Sequence, residues 1–216
     1  MLLAAMQSNL ATLYETPLQH RISDFLITDS AQADRLQPGV PRAGNSERLL
    51  LRESTDGLDI SLYIDSEILD TLAHFDPYDE LNNGNLNDFL IALEGVSHFN
   101  YVTWNATHER AFTQLELELQ AEVDKFISAM MLFDKQAQHP VPEDVHARLF
   151  EEVTFSQTQD TELGRRYRDA NHLAGRYCKS LLNRFPGQHR EPAFINELRR
   201  FYRFPQNQKI RRIQAS

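Results

Sequence analysis

The sequence predicts a predominantly α-helical α+β fold, an antiparallel bundle of three long helices with shorter helices and one β-hairpin. Three observations carry that expectation. Long stretches of the second half repeat apolar residues at helical spacing. Capping residues and Pro or Gly pairs punctuate those stretches. One short segment instead alternates apolar and polar residues on either side of an Asp-Gly pair.

Residues 1–46 hold two short helical patterns around Pro17, the second with Ile22, Phe25 and Leu26 at helical spacing. They close in the Pro- and Gly-rich run 37–46, which reads as an internal linker. The hairpin follows over about 48–64. Asp56-Gly57 favours a tight type I′ turn, and Leu58, Ile60, Leu62 and Ile64 place one apolar face toward a core. A lone two-stranded hairpin is marginal in water, so it must lie on the helices or pair with a further strand.

From residue 65 on the chain reads as helices. Asp65 is placed to cap a helix carrying Ile68, Leu69, Leu72 and Phe75, and Asn85 to cap a long helix over 86–107. Thr113 and Glu116 form a capping box that opens a second long helix to about 137, stopped by Pro140 and Pro142. A short helix spans about 143–153. The third long helix, about 161–185, carries the stripe Leu163, Tyr167, Ala170, Ala174, Tyr177, Leu181 and Phe185. Pro186-Gly187 ends it, and a last helix of about 192–204 leads into a basic tail, 205–216. The whole is read as one domain.

Composition limits the functional classes. The 216 residues are 41% apolar and 25% charged, ordinary globular values. One cysteine, Cys178, excludes an internal disulfide and multi-cysteine metal sites. With no export signal and no apolar run of spanning length, a cytoplasmic protein without membrane attachment is expected. Arginine outnumbers lysine 18 to 4, a composition that points to a bacterial source.

Charge is divided unevenly. Residues 58–160 carry a net −16 and residues 161–216 a net +9, within a total of −9. Either the two regions neutralise each other inside the fold, or Arg199, Arg200, Arg203, Lys209, Arg211 and Arg212 form a basic surface for an acidic partner. Phe201, Tyr202 and Phe204 interleave with these residues, as stacking on nucleic acid requires, but they also fit a helix core. The overall negative charge opposes phosphate binding away from that patch.

A second anomaly lies in the apolar helices. Glu94 and His98 sit four residues apart on a helix apolar nearly all round, and Glu122 centres the face of Leu115, Leu119, Phe126, Met130 and Phe133. A buried carboxylate must be paired or protonated. Glu94, His98 and Glu122 are thus candidates for a metal or acid–base site. The competing reading gives the two glutamates an arginine partner (Arg166, Arg176 or Arg184) or a tyrosine hydroxyl that locks helix register. Asp169 and His172 have a ligand-like spacing on the wrong face.

No Gly-x-Ser-x-Gly elbow, phosphate loop or His-Glu-x-x-His motif occurs. The leading expectation is therefore a non-enzymatic interaction or regulatory protein of adaptor type, acting through its acidic helical body and basic C-terminal residues. A protein partner or a second copy of the chain is expected, and no cofactor. The alternatives are a metal- or ligand-binding bundle enzyme built on Glu94, His98 and Glu122, and nucleic-acid binding by the C-terminal helix.

Overall fold

The computed structural model describes residues 2–37, 46–55, 57–136, 142–152 and 161–215. Helix α1 (Leu2–Tyr14) is followed by a short 3₁₀ turn (Ile22–Asp24), strand β1 (Leu26–Ile27) and helix α2 (Ser30–Leu36). Strands β2 (Glu47–Ser54) and β3 (Gly57–Ile64) come next, then helix α3 (Ser66–His74). Helices α4 (Leu86–Thr107), α5 (Gln114–Lys135), α6 (Pro142–Phe150), α7 (Glu162–Arg184), α8 (Pro192–Arg203) and α9 (Gln206–Gln214) complete the chain. The fold is α+β and mostly helical, as the sequence predicts.

The hairpin is not alone. Its strands belong to a three-stranded sheet with β3 in the middle, antiparallel to β2 and parallel to β1. Phe25 and Leu26, read from sequence as part of a helical pattern, instead lead into the parallel strand Leu26–Ile27; Leu62 N–H donates to Phe25 O at 2.8 Å. The competing force is the exposed edge of β3, whose unpaired backbone groups are satisfied by any extended segment that reaches them. Ser54 pairs with Gly57, so the linking residues are Thr55 and Asp56, one step earlier than expected; Asp56 itself lies outside the described residues. So does most of the linker, 38–45, together with Pro140.

Both faces of the sheet are covered. Leu62 and Ile64 pack against α4, while Ile27, Leu50 and Tyr63 join Ala33 of α2 in a smaller cluster. The opposite face is therefore half apolar, not the solvated face that strict alternation predicts. Arg48 is nearly buried there, with Nη1 2.9 Å from Asp34 Oδ1 and its guanidinium 4.9 Å from the Tyr63 ring centre.

The helical part is built around α4. Phe89, Leu93, Val96, Phe99 and Val102 are all buried, as a helix apolar on every side must be. Helix α5 packs against α4 and α7, α1 against α4 and α8, and β2 and β3 against α4. Asp65, Thr113 and Thr161 cap α3, α5 and α7 with their side chains. Asn85 does not cap α4. Its amide instead ties the preceding loop, donating to Phe75 O and Glu80 O and accepting from Asn82 N–H. The capping box at Thr113 is half formed, because the Glu116 carboxylate is engaged elsewhere.

The C-terminal segment is helix α9 rather than a free tail. Ile213 and Lys209 are buried, and α9 packs on α7.

Candidate functional site

Four elements converge on one polar cluster. Helix α4 contributes Glu94 and His98, one turn apart, and α5 contributes Glu118, Glu122 and Lys125. Strand β2 adds Glu47, and α7 adds Arg166 and Asn171. The close approach of β2 to α4 depends on Gly95. A Cβ there would lie 2.8 Å from Glu47 Cγ and 2.9 Å from Leu62 Cδ1. A mid-helix glycine costs about 1 kcal/mol against alanine, and here it makes room for the Glu47 side chain beside His98.

The cluster has two halves. In the first, Lys125 Nζ bridges Glu94 Oε2 at 2.9 Å and Glu122 Oε1 at 2.5 Å. Asn171 Nδ2 donates to Glu122 Oε2 at 3.1 Å and to Leu149 O at 3.0 Å. In the second half, His98 stands between two carboxylates, with Nδ1 3.6 Å from Glu47 Oε1 and Nε2 3.4 Å from Glu118 Oε2. These are charge-pair contacts, not formed hydrogen bonds. Nε2 of His98 and Oε1 of Glu47 are buried and have no hydrogen-bond partner among the described residues. Arg166 Nε lies 3.7 Å from the other oxygen of Glu118. One donor atom each from Glu47, Glu94 and His98 fall within 4.8 Å of one another.

Burial and charge shape the protonation of the cluster. Burial alone would lower the His98 pKa, but the carboxylates of Glu118 and Glu47 outweigh it and hold the imidazole well above its ordinary value. Burial raises Glu47. Burial also raises Glu122, against the pull of Lys125, whereas for Glu94 the charges of Lys125 and His98 overcome burial and lower it. Lys125 is raised despite burial by its two glutamates. Four carboxylates thus face two permanently cationic side chains, Lys125 and Arg166, with His98 as the titrating member.

Of the sequence candidates, Glu94 and His98 share the donor trio. Glu122 belongs to the same cluster but on the far side of Lys125. The arginine partners expected for Glu94 and Glu122 are replaced by Lys125, three residues along α5 from Glu122. Asp169 and His172 are exposed, away from the cluster. Sequence reasoning missed Glu47, Glu118, Lys125 and Asn171, and it offered Arg166 as a partner of Glu94 or Glu122, whereas Arg166 stands beside Glu118. Two signals point to them in hindsight: Glu118 precedes Glu122 by one helical turn on α5, and Gly95 interrupts an otherwise apolar helix beside Glu94.

A second buried network lies nearer the C-terminal end. Asp124 accepts from Tyr14 Oη at 2.5 Å, Ser97 Oγ at 2.6 Å and Gln120 Nε2 at 2.8 Å. Lys209 donates to Gln120 Oε1, and Glu116 accepts from Tyr101, Arg110 and the backbone N–H of Gln206.

This network accounts for much of the basic C-terminal patch. Lys209 is fully buried. Arg199 Nε and Arg203 Nη2 donate to the carbonyls of Leu13 and Tyr14 and so close the C-terminus of α1, where cations suit the helix dipole. Arg212 pairs with Glu197 at 2.7 Å. Arg200 and Arg211 are exposed, with Arg200 stacked over Phe204. The six residues therefore do not form one continuous surface: Lys209 is buried, and Arg199, Arg203 and Arg212 are engaged with carbonyls or a carboxylate of the fold. Cys178 is a buried core residue whose thiol burial pushes up, the opposite of nucleophile activation.

The cluster defines a class of site: carboxylates and one histidine held between helices and a sheet, with a lysine and an arginine as counter-charges. Compared with protein-family models, curated proteins and solved structures, the chain matches none. Among the described residues no helix is long and apolar enough to cross a membrane.

Proposed function

We propose that this chain is a metal-dependent protein that binds one divalent ion through Glu47, Glu94 and His98. The observation that carries the reading is the trio itself: three donors of suitable type within 4.8 Å, among them the buried His98 and a Glu47 carboxylate whose buried Oε1 has no hydrogen-bond partner among the described residues. Zn–N and Zn–O bonds run about 2.0–2.2 Å, so donors on one ion stand roughly 3–3.5 Å apart, and a small inward movement of Glu94 completes the set. The two-oxygen, one-nitrogen donor set suits Zn, Mn, Fe or Co better than Ca or Mg.

The surroundings support the same reading. Nδ1 of His98, turned toward Glu47, would be the atom to hold the ion, and Nε2 faces Glu118, itself beside Arg166. This is the carboxylate–histidine–metal arrangement that orients ligating imidazoles. A divalent ion in place of the His98 proton also brings four carboxylates and two side-chain cations to neutrality. Three protein donors leave a coordination position for water or a ligand, as catalytic sites do, and a metal-bound water is a ready nucleophile.

The test is calorimetric titration of chelator-stripped protein with Zn²⁺, Mn²⁺ and Co²⁺, with the visible spectrum of the Co²⁺ form. One equivalent is expected to bind. His98→Ala should abolish binding, and Glu118→Gln should weaken it about 10- to 100-fold through loss of imidazole orientation. Absence of stoichiometric uptake by the wild type, or His98→Ala binding equally well, would sink the proposal. The interaction-protein reading, through the basic C-terminal residues to a partner protein or a second copy, keeps Arg200, Arg203 and Arg211 as its exposed residues and predicts association that reversal of Arg200 and Arg211 removes.

A further inference from the structure

A separate cleft of about 470 Å³ lies between α1, α4, α5 and α8, on the side of α4 away from the Glu–His cluster. Its floor is apolar, formed by Met6, Leu10, Phe89, Leu93, Leu132 and Ile195. Its charged lining is entirely basic: Lys135, His189, Arg190 and Arg199, with no carboxylate among the lining residues. In a protein of net charge −9 that is a reversal of the prevailing sign.

From this combination we propose that the cleft binds an amphiphilic anion, a saturated acyl chain ending in a carboxylate. Two features select this occupant. Clefts of about 300–1,000 Å³ with an apolar lining and a few placed polar groups are the usual size for small organic ligands. The floor residues are also nearly inaccessible, with Met6 at 0%, Phe89 at 1% and Leu93 at 1% exposed. A floor so enclosed offers no broad exposed apolar surface for a helix of another protein. The large exposed apolar side chains among the described residues, Leu18, Leu36, Leu51 and Phe75, all lie outside it.

The basic groups define one end as the head-group end. Arg190 pairs with Asp134 at 2.7 Å, which brings the loop before α8 against the C-terminus of α5 and places Arg190 and His189 near Lys135. Lys135 is exposed and has no ion pair among the described residues. Further along α8, Arg199 is already committed to Glu15 at 2.7 Å and to Leu13 O, so it closes the cleft against α1. The anion would thus sit among Lys135, His189 and Arg190, competing with Asp134 for Arg190. The chain would run along Leu132 and Ile195 toward Met6 and Leu10.

The experiment is titration of the full chain with dodecanoate below its micelle-forming concentration, in the presence of chelator so that the metal site plays no part. Saturable binding of one equivalent is expected. Dodecanol, which keeps the chain and lacks the charge, should bind at least tenfold more weakly. The double variant Lys135→Glu/Arg190→Glu should lose at least tenfold in affinity, and Met131→Trp, which narrows the mouth from a half-exposed position, should block entry while leaving the circular-dichroism melt intact. No saturable binding, equal binding of dodecanol, or unchanged affinity in both variants would each overturn the proposal. Displacement of dodecanoate by an acidic amphipathic peptide that binds more tightly would also overturn it, reassigning the cleft to a protein partner.

Discussion

Lys209 is buried without a carboxylate in direct contact. Its Nζ lies 4.6 Å from the Phe201 ring centre and 5.1 Å from that of Tyr101, and it donates to the neutral amide of Gln120. Burial lowers its pKa to about 7, with Arg110 adding to the effect and the more distant Glu116 and Asp124 opposing it. The unfolded chain, with an ordinary lysine near 10.5, therefore binds the extra proton between pH 7 and 10.5. Stability from this group rises with pH across that window, by at most about 1.4 kcal/mol per pH unit. Urea unfolding of the wild type and Lys209→Met at pH 7, 8 and 9 measures it: the variant's advantage should shrink as pH rises. A pH-independent difference would mean the amine stays charged. None of this was legible in sequence, where Lys209 is one of six basic residues near the C-terminus. A sequence assigns charge, but whether a cation is solvated or enclosed depends on which helix reaches it. Glu94 and His98 were legible because they share a helix with apolar residues over most of its circumference, so an ionisable pair one turn apart stands out.

Helix α9 and the Gly95 crossing show what local pattern leaves undetermined. The run from 206 to 214 has one strongly apolar pair, Ile210 and Ile213, and seven basic or amide residues, so its own periodicity reads as tail. Its helicity comes instead from docking, as most helical stability in proteins does: Ile213 is buried and the Gln206 N–H is satisfied by Glu116. Ile213→Ala should cost about 2–4 kcal/mol, and deletion of 206–216 should lower the melting temperature by more than about 5 °C. A melt unchanged by the deletion would restore the free-tail reading. At Gly95 the helix trades propensity for proximity. Alanine would gain up to about 1 kcal/mol of helix propensity but bring a methyl within 3 Å of Glu47 and Leu62. Overpacking of this kind costs about 1–3 kcal/mol, so Gly95→Ala should be net destabilising, and it should displace Glu47 from His98 and weaken metal uptake. The long helices were legible to within two residues because caps and apolar stripes agree. The parallel strand β1 was not, since two residues have no period and their pairing is decided by the open edge of β3.

The chain as a whole brings its acidic middle to its basic end through Glu118 with Arg166 and Asp134 with Arg190, while Glu116 with Arg110 and Glu197 with Arg184 and Arg212 are paired within their own regions. The Glu–His cluster stands apart from that pattern, because its carboxylates outnumber its permanent cations and it joins elements from opposite parts of the chain. Glu47 comes from the sheet, while Glu94 and His98 come from the central helix. An ion held by all three would therefore cross-link sheet and helices. Because the unfolded chain does not assemble the trio, binding stabilises the fold by RT ln(1 + [M]/Kd), about 2.7 kcal/mol at a free metal concentration of one hundred Kd. For a chain of this length that corresponds to roughly 5–11 °C in melting temperature. Thermal melts of chelator-stripped protein against rising Zn²⁺ or Mn²⁺ should show this increase, graded with concentration. The shift should vanish in His98→Ala and persist in Lys135→Glu/Arg190→Glu, whose substitutions lie in the other cleft. A shift of equal size in His98→Ala would place the ion elsewhere on the acidic surface and remove the cluster from consideration as a metal centre.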